Sequence, residues 1–257
     1  MSRQPSLGRV LETLILVVGG VLAGIAGAGA GMASLVSYPV LLAAGLPPLI
    51  ANVTNSVSLT LTTAGAVAGS RLELRGQGPR VRRYGLLAVG GGAVGAALLL
   101  TTPEEIFDYL VPWLIGVAAI ALLLRPWLAR LHADRLHASH PAVTVGVLVG
   151  AVYSGYFGAG AGVLVLALIA AVIPDSIARL NALKNTIVGA SNTVAAIGFA
   201  VFGPVAWRFV LPLAAGCFLG GLVAHWIVRR IPDTPLRIGV GLLGLALAIK
   251  LGIDAYR

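Results

Sequence analysis

Two short segments place polar side chains at a matching spacing within long apolar stretches. In residues 51–65 (ANVTNSVSLTLTTAG), the offsets 0, +3, +4 and +11 are occupied by Asn52, Asn55, Ser56 and Thr63. In residues 180–194 (LNALKNTIVGASNTV), the same offsets are occupied by Asn181, Lys184, Asn185 and Asn192. Residues at these offsets share one face of an α-helix. Each segment is therefore predicted to form a helix with one polar stripe.

Lys184 is the residue of the two stripes with the most specific chemistry. An ionisable side chain within a membrane is costly and is a functional candidate by default. An ammonium and the N–H₂ groups of amides are hydrogen-bond donors, and no Asp or Glu lies between residues 176 and 232. A site rich in donors and free of acids selects an anion with acceptor oxygens. The structural alternatives are hydrogen bonds between helices and a Lys184 side chain that reaches the membrane interface.

The sequence GAGAG occurs twice, at residues 27–31 and 158–162. Alternating glycines weaken a continuous helix and leave backbone exposed, and non-helical backbone at membrane depth is tolerated where it lines a cavity or is covered by protein. The alternative is close helix packing by small residues. A break would start new helices at about residues 31 and 162, whose free N–H groups can bind an anion. The glycines predicted to contribute contacts to a substrate are Gly29, Gly31, Gly160 and Gly162.

The composition is that of an integral membrane protein. The chain has 257 residues, of which 58% are hydrophobic and 11% charged, with a mean hydropathy of +0.96, whereas soluble domains have about 25% charged residues. Asp, Glu, Lys and Arg are absent from residues 13–70, 84–103, 109–124, 141–174, 185–207 and 209–228. A membrane-spanning helix needs about 20 apolar residues, so these blocks predict roughly eight to ten crossings. We expect an all-α polytopic membrane protein made of one transmembrane domain, in contact with the lipid bilayer.

The net charge of +9 comes largely from loops. Five arginines fall in residues 71–83 and three in residues 125–135: Arg71, Arg75, Arg80, Arg82 and Arg83, then Arg125, Arg130 and Arg135. Positive loops of this kind lie on the cytoplasmic side of a membrane. This distribution argues against nucleic acid as a partner.

The order of motifs predicts two homologous halves. In each half a glycine run is followed by an apolar run that ends at proline, a polar stripe and two further apolar spans. The boundaries expected are about 10–124 for repeat one, 125–140 for a basic cytoplasmic linker and 141–254 for repeat two. If the glycine-run segments are re-entrant hairpins, each half has four crossings and the repeats are parallel. If they cross fully, each half has five and the repeats are inverted.

Other classes of protein receive little support. We expect no enzyme, cofactor or metal site, because no nucleophile–base arrangement is evident and no H-E-x-x-H or cysteine-pair pattern occurs. His132, His137 and His140 are interpreted as members of a solvated linker. Cys217 is a single cysteine and cannot form an internal disulfide. A non-transporting subunit or receptor would use the stripes as dry helix contacts.

At these glycine runs and stripes the chain resembles the sulfite exporter TauE/SafE family, over about residues 10–254. The resemblance is carried by both glycine runs, by ANVTNS at 51–56, by RLNALKN at 179–185 and by the order of the spans. It implies a multi-pass carrier in the cell inner (plasma) membrane, with a small anion such as sulfite or an organosulfonate like sulfoacetate as cargo. Whether the protein forms a homodimer is left open by the sequence.

We therefore expect export of an oxyanion through a site between the two repeats. No carboxylate relay is expected inside the spans, and an interior-negative potential favours the exit of an anion by about 2.3 kcal/mol per charge for each 100 mV. The alternative is an ion-coupled uptake permease, or a channel, for another small organic anion. Carbonyl groups of unwound backbone could then bind the coupling cation.

Overall fold

The computed structural model describes residues 4–128, 141–228 and 233–256. Within these residues the chain forms eleven helices and no strand. In chain order they are α1 Gln4–Ala30, α2 Ala33–Ala43, α3 Pro48–Gly69, α4 Gly78–Thr101, α5 Glu104–Leu123, α6 Arg125–Leu128, α7 Pro141–Tyr156, α8 Ala161–Val172, α9 Ile177–Phe202, α10 Trp207–Val228 and α11 Asp233–Tyr256. The prediction of an all-helical protein is confirmed.

Several helices begin where the sequence supplies the chemistry of a helix N-terminus. Helix α3 starts at Pro48, whose ring fixes φ at a helical value and whose missing N–H would have no partner there. Helix α5 carries Glu104 and Glu105 in its first turn, where negative charge complements the helix dipole. Helix α9 is capped by Ser176, whose side chain accepts a hydrogen bond from the Arg179 N–H at 3.4 Å. Local sequence therefore fixes where these helices start.

The length and composition of the helices are those of a multi-pass membrane protein. Among the described residues five helical segments are long and apolar enough to cross a membrane: Gly8–Gly27, Gly78–Thr101, Glu104–Leu123, Ile177–Phe202 and Thr234–Tyr256. Four shorter apolar helices accompany them: Ala33–Ala43, Val143–Tyr156, Ala161–Val172 and Trp207–Val223. Large apolar side chains also cover the outer surface, as at Leu211 (78% exposed) and Leu243 (68% exposed). Such a surface suits lipid rather than water.

Glycines bring three pairs of helices into backbone contact: α1 with α10, α4 with α9, and α4 with α7. A Cβ atom at Gly20 of α1 would lie 2.6 Å from the carbonyl oxygen of Leu213 in α10. Likewise, a Cβ at Gly92 of α4 would lie 2.5 Å from the carbonyl oxygen of Ser191 in α9, and one at Gly155 of α7 would lie 2.5 Å from the Gly92 carbonyl oxygen. Real side chains essentially never approach this closely, so small residues are required at these crossings. Much of the glycine content therefore serves helix packing.

The short helices α2 and α8 fold back along the helices that precede them. Gly27 and Gly19 of α1 face Ala33 and Val40 of α2, respectively, so the two helices are antiparallel. Helix α8 returns along α7 in the same way. With 11 and 12 residues, α2 and α8 are about 16–18 Å long, shorter than the roughly 30 Å hydrocarbon core of a bilayer.

Helix lengths and directions combine features of the two expected topologies. Helices α2 and α8 are short, as expected for re-entrant hairpins, whereas the directions of α5 and α11 are those expected for inverted repeats. The last helices of the halves, α5 and α11, are antiparallel, because Gly241 faces Leu123 and Gly252 faces Pro112. The first helix of each half lies along the fourth helix of the other, α1 against α10 and α7 against α4. The same two pairings result if each helix of α1–α5 is replaced by its counterpart in α7–α11 and the reverse. The two-repeat organisation, with its boundaries at about 10–124 and 141–254, stays a prediction.

Buried apolar side chains form two clusters. The larger one contains Phe107, Phe157, Phe199 and Phe209, which come from both halves. The smaller one lies among α4, α7, α8 and α9 and contains Tyr84, Ile169, Ile173 and Ile187.

Candidate functional site

Both glycine runs interrupt the helix, as predicted. The first break is residues 31–32, where Gly31 has φ +70° between α1 and α2. The second break is residues 157–160, where Gly158 has φ +78° and Gly160 has φ +72° between α7 and α8. Only glycine adopts positive φ at little cost. The new helices begin at Ala33 and Ala161, close to the predicted positions of about 31 and 162.

Lys184 of α9 extends into the space between the first break and the start of α8. Its side chain is buried, with 6% of the residue exposed. A Cβ atom at Gly31 would lie 3.4 Å from Nζ of Lys184, and one at Gly162 would lie 3.3 Å from its Cδ and 3.8 Å from its Nζ. Glycine at both positions leaves room for the ammonium group. The interfacial alternative requires an exposed ammonium and does not describe this side chain.

The N-termini of α2 and α8 meet at this point. A Cβ at Gly162 would lie 3.7 Å from the carbonyl oxygen of Gly31, so the first turn of α8 contacts the first break directly. The first N–H groups of any α-helix have no partner within the helix, and the N-terminal end of the helix dipole is positive. Two helix N-termini and a buried ammonium therefore face one small region, which we call the Lys184 site (Gly31, Gly162 and Lys184).

The electrostatic environment of the Lys184 site is positive. Within the described part of the chain, no hydrogen bond or ion pair joins Lys184 to a carboxylate. Another cation, Arg125 at the start of α6, is close enough for its charge to influence Lys184. The sequence places Arg125 in the basic cytoplasmic linker and does not predict its link to Lys184. The one available signal is that it directly follows the charge-free run 109–124.

Two of the predicted amides lie at the second break. Asn52, which is 1% exposed, donates a hydrogen bond from Nδ2 to the carbonyl oxygen of Tyr156, the last residue of α7, at 2.9 Å. Asn192 accepts a hydrogen bond at Oδ1 from Oγ of Ser154 at 2.7 Å. A Cβ at Gly158 would lie 3.7 Å from that same Oδ1. These contacts place Asn52 and Asn192 at the C-terminal end of α7.

The remaining polar residues of the stripes have different surroundings. Asn55 is buried and accepts a hydrogen bond at Oδ1 from Oγ of Ser37 at 2.5 Å. Ser56 donates to the carbonyl oxygen of Asn52 in its own helix at 3.0 Å. Asn185 is half-buried beside Lys184, and Asn181 is exposed. The second stripe is therefore divided, because Asn181, in the second turn of α9, is exposed, whereas Lys184 is buried.

The predicted glycine contacts are divided in the same way. Gly31 and Gly162 lie at the Lys184 site, whereas Gly160 packs against α5, where a Cβ would lie 2.9 Å from Cβ of Ala118. Gly29 falls in α1 and Thr63 in α3, and their surroundings lie outside the described residues. The linker histidines at 132, 137 and 140 also lie outside them.

Sequence reasoning missed three hydroxyl groups, of which one holds Asn55 and two lie at the second break. Ser37 and Ser154 donate to Asn55 and Asn192, and Tyr153 donates to the carbonyl oxygen of Ala159 at 2.7 Å, within the second break. A hydroxyl in an apolar helix is common, so its type alone gave no signal. Ser154 lies four residues before the second glycine run, and that spacing is the clue that could have identified it.

The start of α9 is fixed by charged contacts with the other half of the chain. Asp175 forms ion pairs with Arg80 and Arg179, each at 2.9 Å. The Ser176 N–H and the guanidinium groups of Arg179 and Arg80 lower the pKa of Asp175 below its usual value. Gln77 adds a hydrogen bond to the carbonyl oxygen of Arg179 at 3.1 Å. This Asp175 cluster holds the turn before Lys184 against the start of α4.

Comparisons with known proteins agree with this picture of a multi-pass membrane protein. The chain is 25% identical over 245 residues to the probable membrane transporter protein ORF9 of Sinorhizobium sp, covering 93% of this chain and 92% of that protein. It is 24% identical over 239 residues to the probable membrane transporter protein YfcA of Escherichia coli strain K12, covering 91% and 87%. No solved structure matches the chain significantly.

The family assignment follows from a match over nearly the whole chain. The model of the sulfite exporter TauE/SafE family matches residues 13–251, a range that includes both breaks, both stripes and all but the ends of the outermost helices. The relatives are named as membrane transporters, as expected for helices of this length and composition. The chain belongs to the sulfite exporter TauE/SafE family of membrane transporters.

Proposed function

We propose that this transporter exports a small sulfur-containing oxyanion, sulfite or an organosulfonate such as sulfoacetate, across the cell inner membrane. The anion binds at the Lys184 site, between the repeats 10–124 and 141–254, which together form one transmembrane domain. The family name, sulfite exporter, supports this class of cargo. Lipid is the surrounding partner, and the proposal requires no enzyme activity and no cofactor.

The observation that carries this proposal is the buried ammonium between two glycine positions. A buried charge without a counter-charge is costly, so its retention indicates that an anion supplies the missing charge during function. Sulfite and sulfonates present several acceptor oxygens, which suit the ammonium and the free N–H groups of two helix N-termini.

Membrane potential supplies a driving force for export. With the cell interior negative, each negative charge that leaves gains about 2.3 kcal/mol for each 100 mV. The Lys184 site need only be exposed alternately to the two sides of the membrane. The second candidate is an ion-coupled uptake permease. The amide and carbonyl oxygens at the second break favour it, because oxygens of this kind bind coupling cations.

Flux measurements in proteoliposomes test the proposal. Purified protein is reconstituted, and efflux of sulfite, sulfoacetate, thiosulfate and acetate is measured at zero potential and at an imposed interior-negative potential. We expect saturable efflux of a sulfur oxyanion, faster at the imposed potential, and little flux of acetate. Protein-free liposomes provide the background rate. Equal flux with and without protein for every anion would contradict the proposal.

A further inference from the structure

We propose that the second break binds a sodium ion, and that its occupancy strengthens anion binding at the Lys184 site. This inference rests on the proposed anion transport for its second half only, since the cation site itself is defined by the oxygens at the end of α7. The site comprises Oδ1 of Asn52, Oδ1 of Asn192 and backbone carbonyl oxygens of the last turn of α7.

Asn52 provides the observation that points to a ligand. Its Nδ2 donates to the Tyr156 carbonyl oxygen at 2.9 Å, and this bond fixes the orientation of the amide, since Oδ1 in that place would repel the carbonyl. Oδ1 is therefore turned away from Tyr156. It is buried and accepts no hydrogen bond from any described residue. A buried acceptor without a partner costs about 1–3 kcal/mol, and a bound cation would remove that cost.

The backbone at the end of α7 adds further acceptors. The N–H groups of Phe157 and Gly158 both donate to the carbonyl oxygen of Tyr153, at 2.9 and 3.1 Å. The carbonyl group of Ser154 thereby loses the Gly158 N–H that a continuing α-helix would supply. The C-terminal end of a helix also has a partial negative charge. A positive ion at this point interacts favourably with α7 as a whole.

A second amide oxygen lies at the same end of α7. Oδ1 of Asn192 accepts from Ser154 and would contact a Cβ at Gly158 at 3.7 Å. Glycine at position 158 therefore leaves this oxygen accessible from the break. The oxygens gathered here are neutral amide and carbonyl groups, whereas calcium sites are built with carboxylates and magnesium is usually held by one or two. Neutral oxygens favour a monovalent cation.

The approach to this site from α5 is acidic. The ring of Phe107 lies 6.1 Å from the ring of Tyr156 and 6.3 Å from that of Phe157. The first two turns of α5, which contain Glu104, Glu105 and Asp108, therefore lie beside the second break. Negative charge there raises the local concentration of cations.

The two ions would assist each other. The Lys184 site adjoins the first turn of α8 through Gly162, and the cation site lies just before that helix. An anion at Lys184 would experience the sodium ion as an additional positive charge. Coupling between two binding sites is reciprocal, so sodium lowers the concentration of anion needed for half-maximal flux.

Thermal unfolding tests the cation site without any transport. Purified protein is unfolded in sodium, potassium or choline chloride at constant ionic strength, with no anionic substrate present. We expect sodium to raise the Tm by about 3 °C or more relative to choline. Equal Tm values in sodium and choline would overturn the proposal, and an equal response to potassium would overturn the assignment to sodium.

Variants of Asn52 separate a cation ligand from a structural amide. Asn52→Asp keeps an oxygen ligand and adds negative charge, so it should lower the half-saturating sodium concentration roughly tenfold. A purely structural Asn52 predicts the opposite, because aspartate cannot donate to Tyr156, and stability would fall in all three salts alike. Asn181→Asp is the matched control, since Asn181 has the equivalent position in the second stripe but is exposed. It should leave the sodium response unchanged.

Flux measurements connect the two sites. We expect replacement of sodium by choline to raise the KM for the transported anion about tenfold, corresponding to a coupling within the usual range. Anion flux that is indifferent to sodium would overturn the coupling while leaving anion transport intact. Absence of anion flux in every salt would instead contradict the proposed function, and the sodium effect on Tm would still be measurable.

Discussion

The two breaks share a sequence, GAGAG, and differ in what the opposite half of the chain brings to them. At the first break the contact is the ammonium of Lys184, which comes from the second half. At the second break it is the amide of Asn52, which comes from the first half. A positively charged ammonium group faces the first break, and a neutral amide group faces the second. If both proposals hold, the same backbone device serves ligands of opposite charge.

The difference arises from one position in the stripes. Lys184 occupies the offset that Asn55 occupies in the first half. Asn55 is short enough to be satisfied by Ser37 of α2, whereas the longer lysine reaches across to Gly31 of the other half. This difference in side-chain length and charge places the ammonium at the first break.

The largest expected effect is that of Lys184→Met, which removes the distinction between the breaks. We expect anion flux at subsaturating substrate to fall about 10- to 100-fold, because a charge-assisted contact is worth about 1.5–3 kcal/mol. Folding should be preserved, since replacing a buried charge by an apolar side chain is often neutral. Lys250→Met, at an exposed position of α11, is the control and should transport normally. Unchanged flux in Lys184→Met would show that the ammonium has only a packing role.

A smaller effect is expected from Gly31→Ala. Gly31 and Gly45 both have positive φ, +70° and +89°, but only at Gly31 would an added methyl group have an atom within 4 Å, namely Nζ of Lys184. Both alanine variants should lose about 1–2 kcal/mol of stability from backbone strain. Only Gly31→Ala should also lower flux, by roughly 3- to 10-fold, because the methyl group crowds the ammonium. Equal flux in the two variants would separate the first break from substrate binding.

Ser37→Ala tests whether Asn55 is structural, as its contacts indicate. Loss of the Ser37 hydroxyl leaves Oδ1 of Asn55 buried without its donor, so the free energy of unfolding should fall by about 1–2 kcal/mol. The KM for the anion should not change. Ser56→Ala is the control, because its hydroxyl bonds only to its own helix and should matter by less than about 0.5 kcal/mol. A rise in KM for Ser37→Ala would place Asn55 in the transport site.

The smallest effect is expected at the Asp175 cluster, which fixes the start of the helix that holds Lys184. The lowered pKa of Asp175 means that its ionised form is favoured by folding. The resulting stability is present above the ordinary carboxyl pKa of about 3.9 and is lost as pH falls through the lowered folded value. Asp175→Asn should lower Tm by about 1–2 °C at pH 7, because ion pairs near the protein surface contribute little.

The pH dependence provides the check on Asp175. The difference in Tm between wild type and Asp175→Asn should shrink as the pH falls below about 4, where the wild-type carboxyl group becomes protonated as well. A difference that stays constant from pH 7 to pH 3 would show that the Asp175 charge is not the cause.

The sequence was sufficient for the local features of this fold. Charge-free blocks gave the apolar helices, and the glycine runs gave both breaks to within about two residues, because each depends on the properties of neighbouring residues only. Proline at the start of α3 and serine before α9 are local signals of the same kind. Even the polar stripe of α3 followed from spacing alone.

The partners of the site residues could not be obtained in this way. Lys184 meets Gly31, and Asn52 meets Tyr156, across the two halves of the chain, so each contact depends on how α3 and α9 pack against the breaks. Asn52 and Asn181 have the same residue type and the same place in their stripes, yet one is buried and the other exposed. Spacing defines a helix face, but only tertiary packing determines what covers it.

The backbone contacts between α1 and α10, and between α4 and α7, constrain how the molecule could open. Each pair joins one helix of α1–α5 to one helix of α7–α11. The glycines at these contacts bring the two backbones so close that no side chain fits between them. Moving α1–α5 away from α7–α11 would break both interfaces. The units expected to move as rigid bodies therefore each contain helices of both repeats. Alternating exposure of a bound anion would come from rocking these two units against each other.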